Sequence, residues 1–483
     1  MPTIARSLRS ALASFALASA IFLGACAATH PDPGSLPLSP DLHDKYVQSF
    51  DTVWQTIKDK HFDPTLNGAD WNAARAELRP KVEAAKTPDE ARAVLNQLIE
   101  RLGQSHFGVI PADVYAKQKA ITSSSASSDR AAPSPSASTS SAPEATQAAS
   151  ADEDDAGSDE GSLGIDLRLI DNKPVVFRVD DASAGASAGV QPGWILTKIN
   201  GTPIDRRIER LNQVAEHSTI SPELIRTIVL SHQLRGAPGK SITLDFLDAH
   251  DKPVTLALKF DKPAGVDATL GNLVGMRMKS ETRLLAPGIQ YFAFSMFGAP
   301  RTLMPEFSRA VDAARQQKGL IIDLRGNPGG VGAMAMGMGG FFVTAKDQKL
   351  GTMITRDAKL NFILNPRLNP YSKPVAILID GGSASTSEIL AGGLQDLHRA
   401  RVFGTRSAGA ALPSVITKLP SGDGFQYAFA NYISVGGQTL EGKGVTPDEA
   451  VPLTRAGLLS GKDDQIDAAI RWILSQNAAP GAS

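Results

Sequence analysis

One cysteine in 483 residues leaves this chain no intrachain disulfide and no multi-cysteine metal site. Its 8 histidines are scattered, with no pair at helical ligand spacing, which argues against a zinc centre or any other metal site. Neither sign of charge is in excess. Lys plus Arg number 49 and Asp plus Glu 50, and no basic surplus calls for a nucleic acid partner. Gly 43 and Pro 31 are close to ordinary usage, which excludes a fibrous chain. No apolar run has the length of a comfortable membrane-spanning helix. What is present is 42% hydrophobic and 20% charged residues, enough for a sizeable core, in a length that suggests roughly two to four domains.

The single cysteine has an informative position. Arg6 and Arg9 precede an almost unbroken apolar run, Ala11 to Ala25, of the size of a signal-peptide core. The run ends in Leu23-Gly24-Ala25-Cys26, which resembles a bacterial lipobox. The resemblance implies a signal peptide over 1–25, lipidation of Cys26 and a membrane anchor of several acyl chains. Ala27 stands where an Asp would imply inner-membrane retention, so the outer membrane of the cell envelope is favoured. An oxidising, periplasm-facing compartment fits a body without cysteine.

Residues 26–41 read as a Pro-rich tether and 42–116 as an N-terminal helical region. Phe50, Val53, Trp54 and Ile57 fall on one helical face, and Ala91, Val94, Leu95 and Ile99 on another. Thr87-Pro88-Asp89-Glu90 supplies a cap, a first-turn proline and first-turn acids. Over 117–162 Ser, Ala, Pro and acids dominate, a composition that cannot bury enough apolar surface to order itself. Alternating strands follow over 163–262, around a helical stretch from Asp205 to Gln233. Within them Ala188 to Ile204, with its Asn200-Gly201 turn, looks like a PDZ domain, although Trp194 stands where an Asp is common. That likeness implies a peptide-binding loop at Ser162-Leu163-Gly164-Ile165 that holds a C-terminal carboxylate, the peptide being added as a strand. Over 263–475 strands and helices alternate, which predicts an α/β domain with much parallel sheet, before a short tail at 476–483.

Two loops after buried strands carry the chemistry, because ligands in such sheets bind beyond the strands' C-terminal ends. The first, Arg325-Gly326-Asn327-Pro328-Gly329-Gly330, frees backbone N–H groups for a substrate oxygen and lacks the Lys and Ser/Thr of a phosphate loop. The second, Asp380-Gly381-Gly382-Ser383-Ala384-Ser385-Thr386-Ser387-Glu388, runs into a helix. Taken alone it reads equally as an exposed nucleophile or as plain capping chemistry.

Together, behind a PDZ-like domain, the loops make the chain resemble the C-terminal processing (tail-specific) serine peptidases. Asp323 to Gly330, Ser383 to Ile389 and Leu440 to Asp448 carry the resemblance, which covers most of Phe50 to Val451. It implies a ClpP/crotonase-like α/β core and Ser385 as nucleophile. The better-known branch uses a lysine base, whose place Ala410 occupies here. Leu102-Gly103-Gln104-Ser105-His106 instead resembles the branch of the tricorn core, which implies His106 as base. The Glu441 motif then implies the acid that orients His106 or the Ser105 hydroxyl. Thr386 N–H and that of Gly329 or Gly330 would hold the oxyanion, each donor worth about 3 kcal/mol. The plainer readings are a helix cap for His106 and a surface turn for Glu441.

The resemblance implies an envelope serine endopeptidase that takes protein or peptide substrates by their free C-termini and needs no cofactor. The alternative is a PDZ-containing, peptide- or ligand-binding lipoprotein with lapsed catalysis, against which the complete Ser–His–Glu set argues. Substrate preference and oligomeric state are not encoded in any motif. The anchor is testable: Cys26→Ser should release the protein from membranes or block its processing, and equal partitioning with normal processing would contradict it.

Overall fold

A computed structural model of the chain describes residues 36–112, 115, 160–215, 221–270 and 273–478. The Cys26 segment and nearly all of the low-complexity insert lie outside them.

Three helices open the described chain: α1 (Pro40–Lys60), α2 (Trp71–Glu83) and α3 (Pro88–Glu100). The Thr87 hydroxyl accepts from Glu90 N with Pro88 at the first position, as its sequence requires. Phe50, Val53, Trp54 and Ile57 of α1 are buried, as are Ala91, Val94, Leu95 and Ile99 of α3. Trp54 and Trp71 each donate an indole N–H to the other's carbonyl, at 2.9 and 3.0 Å, so neither indole is left with an unpaired donor. The segment ends in strand β1 (Gly108–Ile110), which the helical reading of 42–116 does not contain.

The next unit is β-rich. Strands β2 (Ile165–Ile170), β3 (Lys173–Val179), β4 (Ile195–Ile199), β5 (Ser241–Leu247) and β6 (Pro253–Lys259) pair antiparallel in that order. Helices α4 (Asp205–Ala215) and α5 (Pro222–Gln233) cover the sheet, with Leu163, Leu167, Val176, Leu196, Leu230 and Phe246 in its core.

The C-terminal unit holds a six-stranded sheet. Strands β7 (Ser280–Leu285), β8 (Ile289–Phe294), β9 (Leu320–Asp323), β10 (Val375–Ile379), β11 (Arg401–Gly404) and the two-residue Glu449–Ala450 lie side by side in that order. The β7–β8 pair is antiparallel and every other pair parallel. Helices α6 (Pro300–Ala314), α7 (Gly332–Gly339) and α8 (Thr386–Asp396) pack one face and α9 (Asp464–Ala478) the other. Being covered on both faces, β8, β9 and β10 are buried throughout, which explains their near-continuous apolar sequences. The hairpin of β12 (Ser414–Lys418) and β13 (Gly424–Ala428) accepts β1 as a third strand.

Several sequence boundaries move, each for a local reason. The tether gives way to helix at Pro40, because the Ser39 hydroxyl caps Leu42 N. The insert stops before Gly161, since Gly161 and Ser162 pair with Arg235 and Gly236. Helix α6 starts at Pro300 rather than Leu303, with proline at its first position. Helix α9 runs to Ala478, past the expected end at 475. The strand expected over 320–325 ends at Asp323, whose carboxylate accepts the backbone N of Arg325 and turns the chain.

The β-rich unit is locked onto the C-terminal unit by buried side chains. Arg168 of β2 is 3% exposed and donates Nε to Asp380 Oδ2 at 3.0 Å. Asp380 Oδ1 takes the N–H groups of Gly326 and Gly382, so the carboxylate joins both chemistry-bearing loops. The Phe177 ring of β3 packs against the guanidiniums of Arg168 and Arg325, each 4.9 Å from its centroid. Leu224 of α5 packs with Ala384, Ala408 and Ala410. Removing one partner of a buried ion pair strands the other charge. Arg168→Met should therefore cost about 3–5 kcal/mol in urea unfolding. A change below 1 kcal/mol would show that the pair is not what fixes this joint.

Candidate functional site

Ser385 sits where β10 hands over to α8. From Gly381 to Leu394 it is the only residue not buried. Its φ of +55° is a conformation that L residues rarely adopt and that costs about 1–3 kcal/mol. The bend leaves Ser385 half-buried in a loop that is otherwise pinned. Ser385 N is shared between Ala410 O at 2.8 Å and Glu388 Oε2 at 3.0 Å. The flanking hydroxyls point inward instead: Ser383 Oγ donates to Leu324 O, and Ser387 Oγ to Asn327 O. Burial therefore separates the middle serine of the motif from its neighbours.

The glycine loop lies against this turn. A Cβ on Gly329 would stand 2.7 Å from Ser385 Cβ and 2.8 Å from Thr386 N, so only glycine permits the approach. Gly329 N–H is given to Asn327 Oδ1 at 2.9 Å. The N–H groups of Gly330 and Thr386 have no acceptor among the described residues. Of the two glycines left open by the sequence, Gly330 is thus the one with a donor to spare. The Thr386 hydroxyl donates to Gly330 O at 2.8 Å and holds the two amides in one neighbourhood.

His106 comes from the far N-terminal side. Its φ of +61° follows the turn at Gly103, and Phe107 is buried against the ring of His61. His61 in turn contacts Gln104 Oε1 at 2.8 Å and steadies the same loop. His106 Nδ1 lies 2.7 Å from Ser105 Oγ. Ser105 Oγ donates to Glu441 Oε2 at 2.9 Å, and Ser105 N to Glu441 Oε1 at 2.7 Å. A hydroxyl whose proton goes to a carboxylate can only accept from the ring. The proton is thereby assigned to His106 Nδ1, and Nε2 keeps its lone pair. Nε2 has no partner among the described residues. Glu441 thus orients the Ser105 hydroxyl, the second of the two roles its motif implied. It is no free surface residue: Ala411 N gives it a third hydrogen bond at 3.1 Å, and burial raises its carboxyl above the ordinary range against these donors.

Ser385 and His106 are not hydrogen-bonded to each other. They are linked through the Ser407–Ala411 loop, which bonds to Ser385 on one side and to Glu441 on the other. Sequence reading missed this loop's role, and missed His61 and Arg168, because each acts through a partner distant in the chain; it also missed that Asn327 occupies the Gly329 N–H. In the loop from Ser162 to Ile165 of the β-rich unit, Gly164 has φ +67° and gives its N–H to Ser162 Oγ at 3.1 Å, while Leu163 is wholly buried. Strand β2 (from Ile165) is an edge strand packed beside α5. The described residues include no cluster of His, Cys, Asp and Glu able to hold a metal.

Residues 288–451 match the model of peptidase family S41, and residues 42–100 that of the tricorn protease C1 domain. A carboxy-terminal-processing protease of Bartonella bacilliformis is 29% identical over 299 residues, 60% of this chain and 61% of that protein. The match therefore spans less than two thirds of that relative's length. The solved structure of mature CPAF has a TM-score of 0.54 at 13% identity, over 89% of this chain and 97% of that one. The photosystem II D1 C-terminal processing protease has a TM-score of 0.50 at 17% identity, over 89% and 99%. Both are likenesses of fold.

Burial pushes His106 down from its usual value to about 4, although part of the residue remains accessible. The ring is then neutral, and Nε2 able to take a proton, throughout pH 6 to 8. An NMR titration of His106 should show a midpoint well below the usual 6.5, near about 4. A midpoint at or above 6.5 would mean that the ring is solvated or faces a full negative charge.

Proposed function

We propose that this chain, whose C-terminal half carries a peptidase family S41 domain, is a serine endopeptidase with Ser385 as nucleophile and His106 as general base. The observation that carries this reading is the Glu441–Ser105–His106 chain of hydrogen bonds, which leaves Nε2 as the free base. Ser385 Oγ attacks the scissile carbonyl carbon as His106 Nε2 takes its proton. The tetrahedral oxyanion lies between the N–H groups of Gly330 and Thr386. The imidazolium keeps its Nδ1–H on Ser105 Oγ, and Glu441 stabilises the positive charge through that hydroxyl. His106 then gives the proton to the leaving amine. Water, deprotonated by the same ring, releases the acyl group and restores Ser385.

In this reading the protein works in the bacterial cell envelope, held there by lipid on Cys26. The β-rich unit acts as a PDZ-like domain for substrate C-termini. Its support is an edge strand beside a helix, an arrangement that accepts an added peptide strand, with the loop from Ser162 to Ile165 at one end. Gly164 N–H is bonded to Ser162 Oγ, so an incoming carboxylate has to compete with that hydroxyl.

A fluorophosphonate probe should label the parent protein and not Ser385→Ala. His106→Ala should cost at least about 10² in kcat, the lower range for a general base. Labelling that persists without Ser385, or turnover that survives loss of His106, would refute the pairing.

A further inference from the structure

Glu388 is buried completely, three residues after Ser385. Its carboxylate accepts four hydrogen bonds. Oε1 takes Ser407 Oγ at 2.6 Å and Gly409 N at 2.7 Å. Oε2 takes Ser385 N and Ala410 N, each at 3.0 Å. Ser407 Oγ also accepts from Val445 N at 2.6 Å, which directs its proton to Glu388. Helix capping needs only the bond to Ser385 N. The other three bonds go to a separate segment and do nothing for the helix.

That segment is the link between the two halves of the site. Ala410 N is held by Glu388 and the next amide, Ala411 N, by Glu441 Oε2. Consecutive amides thus bind two carboxylates, one on the nucleophile's helix and one behind His106. The remaining bonds make the loop rigid: Gly442 N donates to Gly409 O at 2.8 Å, and Ser407 N to Val445 O at 3.1 Å. A carboxylate is required at 388. Every partner is a donor, and an amide would turn its NH₂ group toward two of them.

We propose that Glu388 is a positioning residue, which sets the separation of Ser385 and His106 by clamping the Ser407–Ala411 loop. This rests on the Ser–His reading above. Glu388 touches neither substrate nor the proton in flight, so its loss displaces the pair without changing what binds. A displacement of about 1 Å is enough to lower turnover by about 10².

The test uses the full chain, with fluorescein-labelled casein as substrate and fluorophosphonate titration to count competent sites. Glu388→Gln should lower kcat per titrated site by about 10² and leave KM within about threefold. Ser407→Ala removes one bond of the four and should lower kcat per site by about three- to tenfold, again at constant KM. It carries the test if Glu388→Gln does not fold. Loss of activity only in proportion to the number of titrated sites, with kcat per site unchanged in the folded variants, would reduce Glu388 to a structural residue and overturn the proposal. Failure of the parent itself to show Ser385-dependent labelling would instead refute the Ser–His reading, and the positioning role with it.

Discussion

Two carboxylates bind neighbouring amides of one loop, and the rest of the site depends on that arrangement. Ser385 and His106 are delivered by segments that share no strand and no helix. Each is fastened locally, Ser385 by Glu388 and His106 through Ser105 by Glu441. The Ser407–Ala411 loop carries the register from one to the other, with Ala410 N on Glu388 and Ala411 N on Glu441. Buried carboxylates suit this task because each oxygen takes two donors, and the energy of leaving any donor unpaired holds the loop in a single arrangement. Burial raises Glu388 to about 7, and the four donors oppose that rise.

The same economy of small residues governs the joint between the units. Ala384, Ala408 and Ala410 leave room for Leu224 of α5 beside the Ser385 turn, and Ser221 N donates to Ala408 O at 2.7 Å. A long side chain at Ala410 would have to displace that helix. The alanine is thus part of the interface as well as the residue that stands where the lysine branch keeps its base. Arg168 continues the contact by filling the space over Gly326, where a Cβ would come within 2.3 Å of its Nη2.

Periodic features were readable from the sequence because they are local. The faces of α1 and α3 and the buried β9 and β10 follow from spacing alone. Ser385, His106 and Glu441 were readable because their motifs resemble a family, and the structure brings their segments together. What spacing cannot reveal is the partner of a lone polar group. Arg168 reads as one charge on a strand, and its carboxylate lies 212 positions further on. Glu388 reads as a cap, since nothing near it announces three more donors. The tie between β1 and the β12–β13 hairpin stayed hidden for the same reason, as a three-residue strand is too short to show a period.

The bond from Ser105 to Glu441 spans 336 positions of chain. Synthesis proceeds at about 5–20 residues per second, so His106 exists for some tens of seconds before its relay can form. A chain that ends before Glu441 lacks the carboxylate that takes the Ser105 proton and so fixes the ring's tautomer. The order of residues along the chain thus separates the histidine from the group that orients its partner, and the two halves of this hydrogen-bond chain meet only after Glu441 has been added.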